Sequence, residues 1–380
     1  SLDLLFPSLY MKTPPIVSVG RRLLMIKAEN NCVLQKICYN DREKQITAEM
    51  GDFMILKGIA ATTQVDAHNT RIAIESLEAA AESIVHGKYV PSVGVEHDPT
   101  IMPIGKVVNA YVEKINNNDY ALYCEQDMFS AYSMERDGAK FVIQKSLIDD
   151  RPLTTSFLEQ REKLLIQTDF VNFKSREDAA AFLKGLSDEY DIETGYCGRK
   201  SAIPDPELVF QLLETTVNCL FIYLTSKTVI EKVGNHIIDF ALSELDDLYA
   251  FIKKAIISAA KQFIPANRPV TYIFTGKHEF VIELVVQTTN PNIAIEAISE
   301  EKLISVVSEI ENLKKHFASF SKIQLVYNME TGQWEFNYIA TDKGEVIGTE
   351  KSYKKSMKKI EIAFPENKDA TKTAASIDFH

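Results

Sequence analysis

Two periodicities divide the chain. Residues 54–59 and 60–65 form β-type runs, the second polar at alternate positions. Residues 71–85 carry Ile74, Leu77, Ala81 and Ile84 at helical spacing, and Gly87 supplies the stop. The apolar run at 90–95 reads as a short buried strand. Residues 106–115 and 120–125 flank the turn-forming Asn116-Asn117-Asn118-Asp119, which predicts a hairpin. A short helix is expected over 129–138, a strand over 139–148, a turn at Asp149-Asp150-Arg151-Pro152 and a strand over 163–173. Ser175 opens a helix reaching Leu186, with Asp178 three residues on in the capping-box position. Residues 1–20 hold Pro7, Pro14 and Pro15 and read as an irregular arm, while 21–39 fit either a helix or a strand pair.

Residues 187–207 carry two glycines, two prolines and a run of acids, and the character of the chain changes after them. Residues 208–224 read as a helix ending in a buried strand, and 226–263 as one or two long amphipathic helices stopped by Pro265 and Pro269. Strands follow at 270–275 and 279–288, then a helix at 300–317, then strands at 321–328 and 333–341 joined by Glu330-Thr331-Gly332. This ββαββ order predicts an antiparallel sheet with a helix on one face. The fold class is therefore α+β: an arm (1–45), a β-rich domain (46–187), a separate α+β domain with long helices (208–364) and a polar, mobile tail (365–380).

Composition narrows the class. Apolar residues make up 46% and charged residues 25%, ordinary values for a globular protein. The net charge of −11 argues against a nucleic-acid-binding surface. Five widely spaced cysteines form no CxxC pair, so neither a disulfide framework nor a zinc ribbon is expected, and a cytoplasmic setting is the simplest reading. No apolar run reaches the length of about 18 residues that a membrane helix needs, and the start lacks the basic region of a signal peptide.

The chemistry concentrates at Val95-Glu96-His97-Asp98, followed by Pro103-Ile104-Gly105-Lys106-Val107. His97 leaves an apolar run, a loop with two prolines follows, and a glycine opens the next strand. Before it stand Leu56-Lys57-Gly58, Val65-Asp66 and the helix from Ile74 to Ala81; after it comes Tyr120 to Glu125. In this ordered series the chain resembles the prohead maturation proteases of tailed phages, serine proteases related to the herpesvirus assemblin. The resemblance spans residues 46–175. It implies a prohead-protease-like domain, scaffold or capsid-type protein substrates and self-processing; a homo-oligomer with no cofactor and no membrane or nucleic-acid partner is expected alongside.

The resemblance makes His97 the general base, taking the proton of a serine hydroxyl. Without it, His97 reads as a strand cap. Ser146, at the end of the 139–148 strand, is the first choice of nucleophile and Ser156 the second. A third arrangement puts the Thr168 strand in that place, without hydroxyl chemistry. The glycine that follows the family's serine is absent, because Ile148-Asp149 stands after Ser146-Leu147. Asp66 is the candidate for orienting the histidine, and it also reads as a turn residue. Glu96 and Asp98 flank His97, but on a strand they point to the face opposite its ring.

The rival reading keeps the protease fold without catalysis, as a structural or interaction protein. It could serve as a phage assembly component or a bacterial defence or sensing module. His68, His86, His97, Asp66 and Asp98 are of metal-ligating type but lack linking spacing. The segment Gly344 to Thr349 reads as a hairpin turn. The stripe Trp334, Phe336, Tyr338 with Tyr327 reads as core packing, and the run from Lys351 to Lys359 as a solvated helix face that could also hold a phosphate-bearing partner.

Overall fold

A computed structural model describes residues 22–24, 55–65, 71–95, 98–154, 162–196, 206–229, 235–264 and 268–363. The arm and tail expected from the sequence lie almost wholly outside these residues. The first strands are β1 (Arg22–Leu24) and β2 (Ile55–Thr62), followed by helix α1 (Ile74–His86). Then come β3 (Ser92–Gly94), β4 (Gly105–Lys114) and β5 (Tyr120–Met128). They form a five-stranded sheet in the order β1-β3-β4-β5-β2. Leu77 and Ile84 on α1 pack against Val107, Ala110, Leu122 and Cys124; Leu122 and Cys124 share a face by alternation, and a register shift between Val107 and Asn109 brings Ala110 to the same side as Val107.

The next elements are β6 (Ser130–Arg136), β7 (Ala139–Lys145), β8 (Leu165–Thr168), α2 (Arg176–Glu189), β9 (Glu193–Tyr196) and β10 (Glu207–Gln211). Helices α3 (Glu214–Val229) and α4 (Asn235–Gln262) follow. The chain ends in β11 (Val270–Lys277), β12 (Val281–Thr288), α5 (Pro291–Ala297), α6 (Glu300–His316), β13 (Lys322–Asn328), β14 (Gln333–Ala340), β15 (Val346–Thr349) and α7 (Glu350–Ala363). Strands β6 to β15 make one ten-stranded sheet, ordered β6-β7-β15-β14-β13-β12-β11-β10-β8-β9. Strands from both sides of residues 187–207 share it, with β8 antiparallel to β10. The architecture is mixed α+β, built on two sheets.

Several local expectations need correction. In place of the helix expected over 129–138, Ser130–Arg136 is strand, and Asp137 and Gly138, both at positive φ (51° and 79°), close a tight hairpin with β7. Over 208–224 the order is reversed: strand β10 comes first and the apolar run lies in helix α3. There Phe221 and Leu224 face the core while Ile222 is 69% exposed, a helical distribution. The expected 163–173 strand stops at Thr168, where Asp169 caps a 3-10 turn by accepting from Val171 N. The sheet is mixed rather than antiparallel. A crossover through α5 and α6 makes β12 and β13 parallel, and β10 and β11 are parallel too. The Ser175 cap holds, its Oγ accepting from Asp178 N at 3.1 Å.

The two faces of the large sheet differ. One turns Phe210, Tyr272, Phe274, Leu284, Ile323 and Leu325 into a core shared with helices α2, α5 and α6 and with described parts of α3 and α4. The opposite face carries Val209, Ile273 and Val285 in one cross-strand row. Beside it runs a second row, Gln211, Thr275, Glu283 and Gln324, all buried. A bulge on β14 opposite Gln324/Leu325 breaks the aromatic stripe. Trp334 and Phe336 stay in the helix-side core, while Tyr338 turns to the opposite face and packs with Val142, Val346 and Tyr353.

Candidate functional site

Asp66, His97 and Ser156 lie outside the described residues, so Ser146 is the one leading candidate whose geometry is available. Near His97, Asp98 N donates to Val95 O at 3.0 Å, and the Asp98 carboxylate accepts from Thr100 N (2.9 Å) and Thr100 Oγ1 (2.6 Å). The segment from Thr100 to Ile104 is buried throughout. It is sandwiched between the two sheets, and Met102 fits where Gly348 has no side chain: a Cβ there would lie 2.6 Å from the Met102 sulfur.

Ser146 follows the last residue of β7. Its Oγ donates a short hydrogen bond to Asp127 Oδ2 and accepts from Asp149 N (2.8 Å) and Ile148 N (3.2 Å). A hydroxyl has one proton and two lone pairs, so all three capacities are used. The turn is held further by Arg151. Its guanidinium grips Asp149 Oδ2 through Nε (2.9 Å) and Nη2 (2.6 Å), bonds Ile84 O at the end of α1 (2.7 Å), and bonds Val108 O in β4 (2.9 Å).

Lys106 completes the cluster. Cross-strand register puts it opposite Asp127, and its side chain is fully buried. Its Nζ donates to Arg151 O at 2.9 Å and stands 3.7 Å from Asp149 Oδ1. The turn between β14 and β15 closes over it at Gly344. There a Cβ would sit 2.2 Å from Arg151 O and 2.6 Å from Lys106 Nζ, and φ is +68°, so glycine is required on both counts.

Burial sets the electrostatics. It lowers the affinity of Lys106 for its proton, only partly offset by Asp149 and Asp127. Burial also pushes Asp127 above the usual carboxylate range, against the Ser146 hydrogen bond and the Lys106 charge. For Asp149, burial acts upward too, but the Arg151 hydrogen bonds and the Lys106 charge outweigh it and hold the carboxyl low.

Two further nucleophile-type side chains among the described residues are buried. Thr168 Oγ1 is buried and donates to Glu207 O at 2.9 Å. Burial pushes the Cys124 thiol up to about 12, which keeps it protonated. Among the described residues, no three His, Cys, Asp or Glu side chains gather as metal ligands would, and no helix is long and apolar enough to cross a membrane. Sequence reasoning missed Lys106, Asp127 and Arg151. Their signal was a charge inside an otherwise apolar strand, Ile104-Gly105-Lys106-Val107, and a turn read only as a turn.

Comparison with protein families, with curated proteins and with solved structures gives no match.

Proposed function

We propose that the chain is a protein-binding assembly component that does not cleave peptide bonds. One observation carries this reading. Ser146 spends its hydroxyl on three hydrogen bonds inside a pinned turn, and that turn presents Leu147 and Ile148 to solvent at 47% and 46% exposure. An attacking serine needs a lone pair free to meet a carbonyl carbon, whereas a rigid turn bearing exposed aliphatic side chains suits docking to another protein, because little freedom is lost on binding. Val85, whose own carbonyl Arg151 also reaches, and Tyr89 just beyond α1 are exposed and extend the apolar character of this region.

The second reading is a serine endopeptidase of the prohead type, acting on scaffold or capsid-like proteins through His97, Ser146 and Asp66. It is favoured by the direction of the Ser146 proton, which already points at a buried carboxylate beside a buried lysine.

Reaction with a fluorophosphonate probe separates the two. The assembly reading expects no labelling of the folded parent and no difference on His97→Ala. Labelling mapped to Ser146 and lost on His97→Ala establishes the peptidase instead.

A further inference from the structure

We propose that α7 is a releasable strap. It undocks as a unit and frees residues 98–104 together with the seam between the two sheets, while the helix-covered core of the large sheet stays folded.

The helix is fixed at its start to the large sheet. Thr349, the last residue of β15, accepts from Ser352 N at 3.0 Å, an N-cap bond. Tyr353 then packs with Val142, Tyr338 and Val346 of that sheet. Further along, Met357 touches both that cluster and the core of the five-stranded sheet, and Ile360 touches the latter. One helix therefore bears on both units.

The same helix clasps the loop between β3 and β4. Ser356 Oγ accepts from Met102 N at 3.2 Å, with both residues at 0% exposure. Lys355 Nζ donates to Thr100 Oγ1 (3.0 Å) and Thr100 O (3.3 Å), and Lys359 Nζ lies 3.9 Å from Asp98 Oδ2. Beside Tyr353, Met357 and Ile360 the inner face of α7 carries two small polar residues where a core helix would carry Leu or Ile: Ser352 and Ser356 are buried in it. Serine lets the helix approach closely but buries little apolar area, so each such position contributes far less than an aliphatic side chain. Elements held by few apolar contacts open below the global unfolding free energy. By contrast α6 buries Val306, Val307, Ile310 and Leu313 on the helix side of the sheet, and belongs to the slowest-opening part.

Hydrogen exchange on the full chain tests the strap, comparing the parent with Ser356→Ala/Lys355→Met. Both substitutions remove clasp bonds without adding bulk or charge to the core. The expected result is a rise of at least about tenfold in exchange, of equal size in 98–104 and 351–363, with α6 and β11–β13 unchanged. Two results overturn the proposal: the two segments respond by different factors, or they exchange only together with α6. Limited proteolysis of the same pair gives a second readout. Faster cleavage within 98–104 of an otherwise intact variant is expected, and unchanged cleavage counts against release.

Discussion

The two faces of the ten-stranded sheet come from the same strands and differ only in which alternate residues they use. The helix side is apolar and continuous, with Phe210, Tyr272, Phe274 and Leu284 in one core. The opposite side mixes the Val209, Ile273 and Val285 row with buried polar groups in a connected chain. Lys322 and Gln324 both donate to Glu283 (2.8 and 2.6 Å), Asn337 Nδ2 reaches Gln324 Oε1 (2.5 Å), and Asn337 Nδ2 also lies 3.2 Å from Thr100 O. Apolar packing is non-directional and tolerates many arrangements, whereas hydrogen bonds fix register and orientation. The helix side supplies stability. The polar side also ties the β3–β4 loop of the five-stranded sheet to the large one, through Asn337 and Thr100.

The strongest way to break this contrast is on the helix side. Phe210 is fully buried and stacks on Phe274 at 5.1 Å. Phe210→Ala is expected to cost about 4 kcal/mol, read as a lower urea midpoint at unchanged slope. A loss below about 1 kcal/mol means the aromatic stack is not core.

On the polar side the expected loss depends on what is left unpaired. Lys322→Met strips the ammonium from Glu283, whose side chain is 4% exposed, and should cost about 3 kcal/mol. Lys322→Met combined with Glu283→Gln should recover most of that, because the buried charge goes with its partner while Gln can still accept from Gln324. Additive losses in the double variant would show instead that the network is ordinary packing.

Much of this was legible in the sequence, and the reasons for the rest are specific. The α1 stripe, the 106–125 hairpin, the Ser175 cap and the ββαββ order all rest on local pattern, and each has its counterpart in the fold. The helix expected over 129–138 is a hairpin strand instead, and the local sign of it is Asp137-Gly138, a pair that takes positive φ in a two-residue turn. The 208–224 reversal came from an apolar run whose period cannot separate buried helix from strand. Of the candidate site, Ser146 entered through the family resemblance, while its hydrogen-bonding and charged neighbours Asp127, Asp149 and Lys106 come from β5, the turn and β4, and only tertiary pairing brings them together. Lys106 inside an apolar strand was the one local sign.

A smaller effect is expected at the serine itself. Ser146→Ala leaves Asp149 N and Ile148 N without their acceptor and Asp127 without its donor. The turn is partly exposed, so water replaces some of this and the loss should be about 1–2 kcal/mol. Thermal melts of the parent and variant measure it. A variant as stable as the parent removes the argument that the hydroxyl serves the turn, and with it the main support for a non-catalytic Ser146.

The smallest effect is also the most diagnostic, because its size depends on pH. Burial raises Asp127, so the folded chain holds that proton more tightly than the unfolded one. Its stabilisation is complete below the unfolded value of about 3.9 and is lost as pH rises through the higher folded value. Asp149 is held low and acts oppositely, its contribution present above the unfolded value and lost on acidification. The parent's profile contains both, and the difference between the parent and Asp127→Asn reports the Asp127 proton together with its coupling to Asp149 and Lys106. Asparagine keeps an oxygen for the Ser146 hydroxyl and never ionises. The variant should therefore be the more stable of the two at pH 7, with the gap closing as pH falls towards 4, measured by urea midpoints at both values. A gap of the opposite sign, with the parent ahead at neutral pH, would mean that Lys106 overcomes the burial cost of the Asp127 charge. The cluster would then be an ion-paired centre with an ionised acceptor for the serine proton, the arrangement that favours chemistry at Ser146 over a purely structural turn.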